Sequence, residues 1–433
     1  MKLIAPLFLV SVSLVSFGQT NPKLQAKLDQ QAKDIEPKLI EWRRHVHQFP
    51  ELSNREVKTA AYIADHLKSL GLKVQTGIAK TGIVAILETG KPGPVIALRA
   101  DIDALPVTER NSLPFASKET ATYNSLPTGV MHACGHDSHI AILMSVAEIL
   151  TKNKSDLKGI IKFIFQPAEE GAPLGEVGGA DVMVKEGVLE NPNAEVVFGM
   201  HIQSTMDVGK IGYKPGGFMA ASDWFSIKVK GRQSHGASPW TSVDPIVTSA
   251  QIINGLQTII SRQTDLTKEA AVITVGRINA GIRENIIPEE ATFAGTIRTL
   301  DKEMRTKIHE KIKLTATKIA ESVGAVAEVY IEGKTPITYN DPTLTEKMVP
   351  SLKRAAGEGK ATEIHAVTGA EDFACYQEKI PGLFFFVGAK PTDIEPGKIP
   401  SHHTPDFMLD ERGFITGLKA MLAVTTDYMF MKK

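Results

Sequence analysis

The sequence has no excess of charge of either sign. Its 433 residues include 49 Lys and Arg and 49 Asp and Glu, so the formal net charge is zero. Broad contact with nucleic acid depends on a basic excess, so we expect no nucleic acid among the partners. The balance leaves room for a small charged molecule bound in a local pocket.

Long apolar runs are also missing beyond the first twenty residues, and this argues against a membrane-spanning helix. The start of the chain differs, because Lys2 precedes an almost wholly apolar stretch at 3–17, followed by Gly18. This pattern predicts a secretory signal peptide at 1–18, cleaved near Gly18, and an exported protein that is periplasmic or secreted. An uncleaved anchor is the alternative, which the shortness of the stretch disfavours. We expect no membrane association after cleavage.

Cysteine is scarce as well, with only Cys134 and Cys375 in the chain. In an exported protein, two cysteines predict one disulfide by default. Cys134, however, lies between His132 and His136, in a setting that indicates a metal ligand. We therefore expect both cysteines to be free.

The order of apolar patterns predicts two domains. Residues 23–70 carry apolar side chains at helical spacing, and the segments that follow alternate between strand-like and helical patterns, as in an α/β layer. Residues 220–333 follow the order β-α-β-β-α-β, the ferredoxin-like unit. We therefore predict a smaller domain at 220–333, inserted into a larger one formed by 19–219 and 334–433.

The segment around Cys134 is the richest in side chains that bind metals. Three of the twelve histidines lie within eight residues at 132–139. Cys134 and His136 are two residues apart, so on extended backbone both side chains point to the same side. Thiolate and imidazole are preferred ligands of zinc and similar metals. We predict that both bind metal; a buried cysteine among structural histidines is the alternative.

Two adjacent acids, Glu169 and Glu170, follow an apolar strand predicted at 160–165. Strand ends in α/β sheets are where ligands bind. One carboxylate can bind a metal while its neighbour takes a proton from a metal-activated water. A solvated pair of loop acids is the alternative interpretation.

Further candidates lie at other strand ends and in a C-terminal loop. His201 ends the apolar run 196–200, and two adjacent histidines occur in the loop 401–405. Asp101 and Asp103 follow the apolar run 95–98 and, two residues apart, share one side of the chain. They could bind metal or orient a ligating histidine, and we favour the orienting role.

From about residue 42 to residue 428, the sequence resembles the two-metal peptidases and amidohydrolases that include aminoacylases and carboxypeptidase G. It is most similar to their branch of hippurate hydrolases, N-acetyl-diaminopimelate deacetylases and auxin-conjugate (IAA-amino acid) amidohydrolases. The resemblance is carried by residues 42–51, 98–106, 131–137, 166–170, 285–288, 369–373 and 403–407. It implies an α/β fold, with a zinc-peptidase-like three-layer catalytic domain and an inserted ferredoxin-like α+β domain that serves as lid and dimerisation domain.

The resemblance also implies a role for each matching residue. The metal ligands would be Cys134, His136, Glu170, His201 and His403. Glu169 would be the general base, and His235 would reach the active site of the partner subunit in a homodimer. Substrate would be held by Asn285, Arg298 and Glu371. Asp101 stands where the wider family has a histidine, which fits a branch whose metal set uses Cys134 and His136 instead.

These roles describe a metal-dependent hydrolase of N-acyl amino acids or related short peptides. Two divalent metal ions per subunit would activate the attacking water, either Zn²⁺ or Mn²⁺, with Ni²⁺ or Co²⁺ also compatible. A dipeptidase or exopeptidase on the same scaffold is one alternative. A non-catalytic secreted protein that binds metal or peptide is another, but it would not need the spare carboxylate of Glu169.

Overall fold

The structure is a computed structural model that describes residues 20–392, 394–395 and 397–431. The predicted signal peptide at 1–18 lies outside the described residues. Within the described part of the chain, no helix is both long enough and apolar enough to cross a membrane.

Helices begin where the sequence supplies caps. Asp244, Asp301 and Asp341 each accept a hydrogen bond from a backbone N–H in the first turn of the helix that follows, which satisfies donors that the helix cannot pair itself. The described helices are α1 (Pro22–Gln48), α2 (Val57–Ser69), α3 (His136–Lys152), α4 (Gly179–Lys185), α5 (Pro245–Gln263), α6 (Lys302–Ser322), α7 (Pro342–Ala356), α8 (Ala374–Gln377) and α9 (Phe414–Phe430).

Strands occupy the apolar runs between the helices. The described strands are β1 (Lys73–Ile78), β2 (Gly82–Glu88), β3 (Val95–Asp101), β4 (Thr120–Tyr123), β5 (Leu126–Gly129), β6 (Ile160–Gln166), β7 (Val196–Gln203), β8 (Ile211–Tyr213), β9 (Gly216–Met219), β10 (Ala221–Lys230), β11 (Ser234–His235), β12 (Ala271–Ala280), β13 (Ile286–Ile287), β14 (Glu290–Thr299), β15 (Val326–Thr335), β16 (Thr338–Asn340), β17 (Ala361–Glu363) and β18 (Gly382–Gly388).

The larger sheet has eight strands in the order β1-β2-β6-β3-β7-β18-β8-β17. Its centre is parallel, since β3 pairs in parallel with β6 and β7, and β7 pairs in parallel with β18. These strands are buried almost throughout their length. Parallel strands covered on both faces are expected to be continuously apolar, which explains the unbroken apolar runs in the sequence. The expected α/β class is thereby confirmed.

A second sheet contains the antiparallel strands β12-β14-β10-β15. Phe225, Phe293 and Ile312 are buried in the core between this sheet and the helices α5 and α6. The order of elements along the chain, β10-α5-β12-β14-α6-β15, is the ferredoxin-like order expected from the sequence. The domain boundaries at 219/220 and 333/334 remain a prediction.

The helical segment expected at 23–70 is two helices, α1 and α2, separated by residues 49–56. Pro50 explains the break, because proline has no N–H to donate and disfavours helical backbone at the preceding residue. Phe49 accordingly leaves the helical region, with φ −126° and ψ 57°. The intervening segment brings Asn54 and Glu56 into the buried interior, where Glu56 has no exposed surface.

Candidate metal centre and active site

The carboxyl ends of the central parallel strands bring the candidate residues together. Asp101 ends β3 in register with Gln166 at the end of β6, and His201 lies on β7. Gly135 precedes α3 with a φ of 94°, a conformation that glycine adopts without steric cost. This turn lets Cys134 on one side of it and the first helical residue on the other face the same edge of the sheet.

Cys134 is the centre of the cluster. Its Sγ lies 3.3 Å from Nε2 of His201 and 3.3 Å from Nε2 of His403. The same His403 nitrogen is 3.2 Å from Oε1 of Glu170. Two groups of possible ligands result, Cys134 with His136 and His201, and Cys134 with Glu170 and His403, each with its donor atoms within 4.8 Å of one another. One sulfur shared by two groups is the arrangement that a bridging ligand requires.

Buried atoms without hydrogen-bond partners test whether this cluster fits metal ions. Among the described residues, Nε2 of His136 and Oε1 of Glu170 are buried and lack a hydrogen-bond partner. Nδ1 of His136 lies 2.9 Å from the backbone oxygen of Asp103 and must donate to it, so Nε2 is the ring nitrogen that can bind a metal once it has lost its proton. An unsatisfied buried acceptor is costly, and a cation would satisfy both atoms. The residues therefore fit a metal centre.

The charge around the cluster also indicates bound cations. Acidic side chains surround it at Asp101, Asp103, Glu169, Glu170, Glu371 and Asp372. Burial lowers the pKa of His136, but the carboxylates of Asp101 and Asp103 outweigh burial and raise it to about 10. Burial raises the pKa of Glu371 to about 8 although Arg99 opposes it. Protons are thus held where negative charge is in excess, and divalent cations would take their place.

The thiol of Cys134 needs such cations in order to ionise. Burial, and then the charges of Glu170 and Glu169, raise the pKa of Cys134 well above its ordinary value. A metal ligand must be the thiolate, so cation binding and loss of the thiol proton are coupled. Both cysteines are free in the structure, which confirms the expectation that Cys134 and Cys375 form no disulfide.

Two further histidines border the cluster, but their ring nitrogens are engaged. Nε2 of His139 accepts the backbone N–H of Ile202 at 2.9 Å, which leaves Nδ1 to donate to Asp101 at 2.6 Å. Nε2 of His402 accepts the N–H of Ser204 at 3.2 Å, so its Nδ1 carries the proton and faces Sγ of Cys134 at 3.7 Å. A protonated nitrogen cannot bind metal, and this geometry favours His403 over His402.

Asp101 and Asp103 lie beside the candidate ligands and accept hydrogen bonds from other groups. Asp101 accepts hydrogen bonds from Arg99 and from Nδ1 of His139. Asp103 accepts the hydroxyl of Ser53 at 2.7 Å and the backbone N–H of Glu170 at 3.0 Å. These contacts accord with the orienting role expected from the sequence, which stays a prediction.

Glu169 lies beside the candidate ligands and lines a cavity of about 480 Å³ that Cys134 and Glu371 also line. One of its oxygens is 3.8 Å from Nε2 of His136. Burial, and then the carboxylates of Glu371 and Glu170, raise the pKa of Glu169 well above its ordinary value. A carboxylate whose pKa is raised in this way is suited to accept a proton and release it again.

No role was predicted for Arg99, although it lies within the segment 98–106 that carries the resemblance. It is fully buried, and its guanidinium donates to Asp101 at 2.8 Å, Glu371 at 2.9 Å and Asp372 at 3.0 Å. Glu371 also accepts the backbone N–H of Phe373. Glu371 was expected to hold substrate; it does line the cavity, but one of its oxygens is occupied by Arg99.

His235, Asn285 and Arg298, expected at the substrate, are not among the residues that line this cavity. His235 is exposed, with Nδ1 accepting the N–H of Ala237. Arg298 lies directly opposite Ser222 across two antiparallel strands, and opposed residues share one face of a sheet. Ser222 lines the cavity, so the Arg298 side chain leaves the sheet on the same face as a residue that lines the cavity.

Comparison with known proteins identifies the family that the chain resembles. The family model described as peptidase family M20/M25/M40 matches residues 97–427. An N-acetylcysteine deacetylase of Bacillus subtilis is 41% identical, covering 88% of this chain and 93% of that protein. A thermostable carboxypeptidase of Saccharolobus solfataricus is 39% identical, covering 90% of this chain and 94% of that protein. The solved structure of the Bacillus subtilis YXEP protein, a dinuclear metal-binding peptidase, has 37% identity and a TM-score of 0.76. The match covers 91% of this chain and 99% of that protein.

Metal content distinguishes the two adjacent histidines of the C-terminal loop. His403→Ala should lower bound metal from about two ions per subunit to about one, because it removes one of three donors in one group. His402→Ala should keep both ions, since Nε2 of His402 accepts the N–H of Ser204 and its Nδ1 carries a proton towards Cys134. Elemental analysis after dialysis measures this. Loss of metal in His402→Ala with full retention in His403→Ala would reverse the assignment.

Proposed function

The chain belongs to peptidase family M20/M25/M40, and on this premise we propose that it hydrolyses the amide bond of N-acyl amino acids. Its relatives include a deacetylase and carboxypeptidases, so the chain is a metal-dependent hydrolase that acts on C–N bonds. The observation that carries the finer proposal is the position of Glu169, a carboxylate outside the two donor groups that share Cys134, yet next to both.

When bound by the Cys134-centred groups, two divalent cations would supply Lewis acidity and would lower the pKa of a water molecule towards ~7. Glu169 accepts the proton of the attacking water as the amide carbonyl becomes tetrahedral. Protonated Glu169 then gives that proton to the leaving nitrogen. The raised pKa of Glu169 makes it a stronger proton acceptor than an ordinary carboxylate.

Arg99 binds the two carboxyl groups that lie next to Glu169. Its guanidinium holds Glu371 and Asp372 by charge-assisted hydrogen bonds. Glu169, Glu371 and Asp372 have carboxylate oxygens within 4.8 Å of one another, and Arg99 provides positive charge beside them. Arg99 thereby fixes the positions of Glu371 and Asp372 beside Glu169.

Arg298 is the candidate for holding the free carboxylate of the substrate. Among the described residues it forms no ion pair with an acid, and its Nη1 donates only to the backbone oxygen of Ile297. A guanidinium binds a carboxylate through two parallel hydrogen bonds, which fixes orientation as well as charge. Its position opposite Ser222, which lines the cavity, supports this proposal.

A carboxypeptidase acting on short peptides is the second candidate, because a relative 39% identical bears that name. It too would use Arg298 for the terminal carboxylate. The two functions differ in the acyl side of the scissile bond, which carries an amino group in a dipeptide. A panel of N-acyl amino acids and dipeptides would decide between them by relative kcat/KM.

We further propose a homodimer in which His235 acts at the partner's site, consistent with its absence from the lining of its own cavity. Mixing inactive His235→Ala and Glu169→Gln proteins should restore part of the activity, since some mixed sites then carry both residues. Verified subunit exchange without recovery would exclude this role.

Export is proposed from the sequence alone, and the mass of the mature chain would locate the cleavage near Gly18.

Glu169→Gln tests the proposed base. The variant should bind both metals as the wild type does, yet kcat should fall by about a hundredfold to ten-thousandfold, the usual contribution of a general base. Glu170→Gln is the matched control, because it alters the adjacent carboxylate and should lower metal content and activity together. A Glu169→Gln enzyme with wild-type kcat would contradict the mechanism.

Substrate charge tests the role of Arg298. An N-acyl amino acid should be hydrolysed with a kcat/KM about tenfold to a hundredfold higher than its amide, because a charge-assisted bond is lost. Arg298→Ala should reduce that preference, whereas Arg262→Ala, an exposed arginine on α5, should leave it unchanged. Equal kcat/KM for acid and amide in the wild type would rule out recognition of the carboxylate.

A further inference from the structure

Glu56 is a fully buried acid that stands outside both donor groups. It immediately precedes α2, where an acidic side chain could cap the helix, but its carboxylate makes no capping hydrogen bond. Instead, Oε1 accepts the backbone N–H of Ala168 at 3.0 Å, and Oε2 accepts the hydroxyl of Thr81 at 2.6 Å. The carboxylate is therefore committed to a loop that lies 112 residues further along the chain.

That loop carries the proposed base. Ala168 directly precedes Glu169 and has a φ of 53°, in the left-handed region that residues with a Cβ avoid. The backbone N–H two residues on, at Glu170, is held by Asp103 at 3.0 Å. The N–H groups on either side of Glu169 are thus each bonded to a buried carboxylate, and the direction of the Glu169 side chain depends on both.

The surroundings of Glu56 repeat this pattern of strained backbone held by an acid. Asn54, Ala79 and Lys80 also have positive φ values. Glu176, further along the same loop, binds Asn54, Arg55 and Lys80. Strained backbone persists only where its surroundings determine it strongly. Glu56 is the contact that reaches from these segments to the residue before the base.

We propose that Glu56 is a positioning residue, which holds Ala168 in its left-handed conformation and so aims Glu169 at the metal centre. The inference rests on the proposed function, in which Glu169 is the base. Glu56 does not touch the cavity, so its effect passes through the backbone of Ala168.

Glu56→Leu removes both acceptors at similar volume. In metal-saturated enzyme, kcat for the N-acetyl amino acid that the wild type hydrolyses fastest should fall about tenfold to a hundredfold, as small displacements of reacting groups do. KM should change little, because the base acts in the transition state. Glu56→Gln should retain most activity, since its oxygen can accept from Ala168 and its amide can donate to Thr81.

Adding Ala168→Gly distinguishes a positioning role of Glu56 from a purely structural one. Glycine adopts positive φ without the steric cost borne by alanine, so Glu56→Leu/Ala168→Gly should regain about fivefold to thirtyfold in kcat. Glu51→Leu is the matched control, because Glu51 also accepts one backbone N–H, that of Thr59 at 2.8 Å, away from the loop. It should lower the melting temperature without lowering kcat.

Full kcat in folded Glu56→Leu, or equal losses in Glu56→Leu and Glu51→Leu with no gain from Ala168→Gly, would overturn the proposal. If Glu56→Leu does not fold, Glu56→Asp tests the same contact with a carboxylate too short to reach Ala168. If the wild type hydrolyses no N-acyl amino acid, the proposed function fails. Hydrogen exchange at 167–171 then decides: faster exchange in Glu56→Leu than in Glu51→Leu supports positioning, and equal exchange refutes it.

Discussion

Negative charge packed into the end of a buried sheet is the constraint on which this structure depends. Asp101 and Asp103 are fully buried, and four further carboxylates and a thiol lie within the same cluster. Isolated charges of one sign cannot be buried at tolerable cost. Arg99 neutralises the inner side of the cluster through three acids. The outer side, around Cys134, requires cations, and the unpaired atoms of His136 and Glu170 face it.

The fold supplies this arrangement by ending parallel strands at one edge and starting a helix there. The ligands and their supports come from distant parts of the chain, because β3, β6 and β7 converge only in the sheet. Hydrogen bonds from outside the cluster fix two of the candidate groups. Nδ1 of His136 donates to the backbone oxygen of Asp103, and the backbone N–H before Glu169 donates to Glu56. Such preorganisation lets the groups meet the transition state without rearranging first.

Sequence patterns predicted the elements whose periodicity is strong. The buried strands β3, β6 and β7 begin at the apolar runs of the sequence, and the helices α5 and α6 take the two helical places in the order expected for 220–333. The break between α1 and α2 was missed because the apolar spacing continues past Pro50. The C-terminal helix α9 was missed because it is apolar on nearly all sides, and such a segment lacks the one-sided pattern that marks a helix.

The site divides in the same way. Ligand types and their order were visible in the sequence, and so was the spare acid at Glu169. Contacts that depend on ring orientation or on distant pairing were not: the proton of His402 is fixed by Ser204, and Glu56 meets Ala168 across 112 residues. No local pattern of residues encodes such contacts, because they exist only once the sheet has formed.

The central claim is that two metal ions would be held by the two donor groups that share the sulfur of Cys134. X-ray absorption at the zinc edge, on protein reconstituted with zinc, measures the number of sulfur atoms per metal. A bridge predicts about one sulfur per zinc at ~2.3 Å, with a second metal at ~3.5–4 Å. Cys134→Ser should abolish the sulfur contribution. An average of about half a sulfur per zinc in a doubly loaded protein, as expected for a terminal ligand on one ion, would contradict the account.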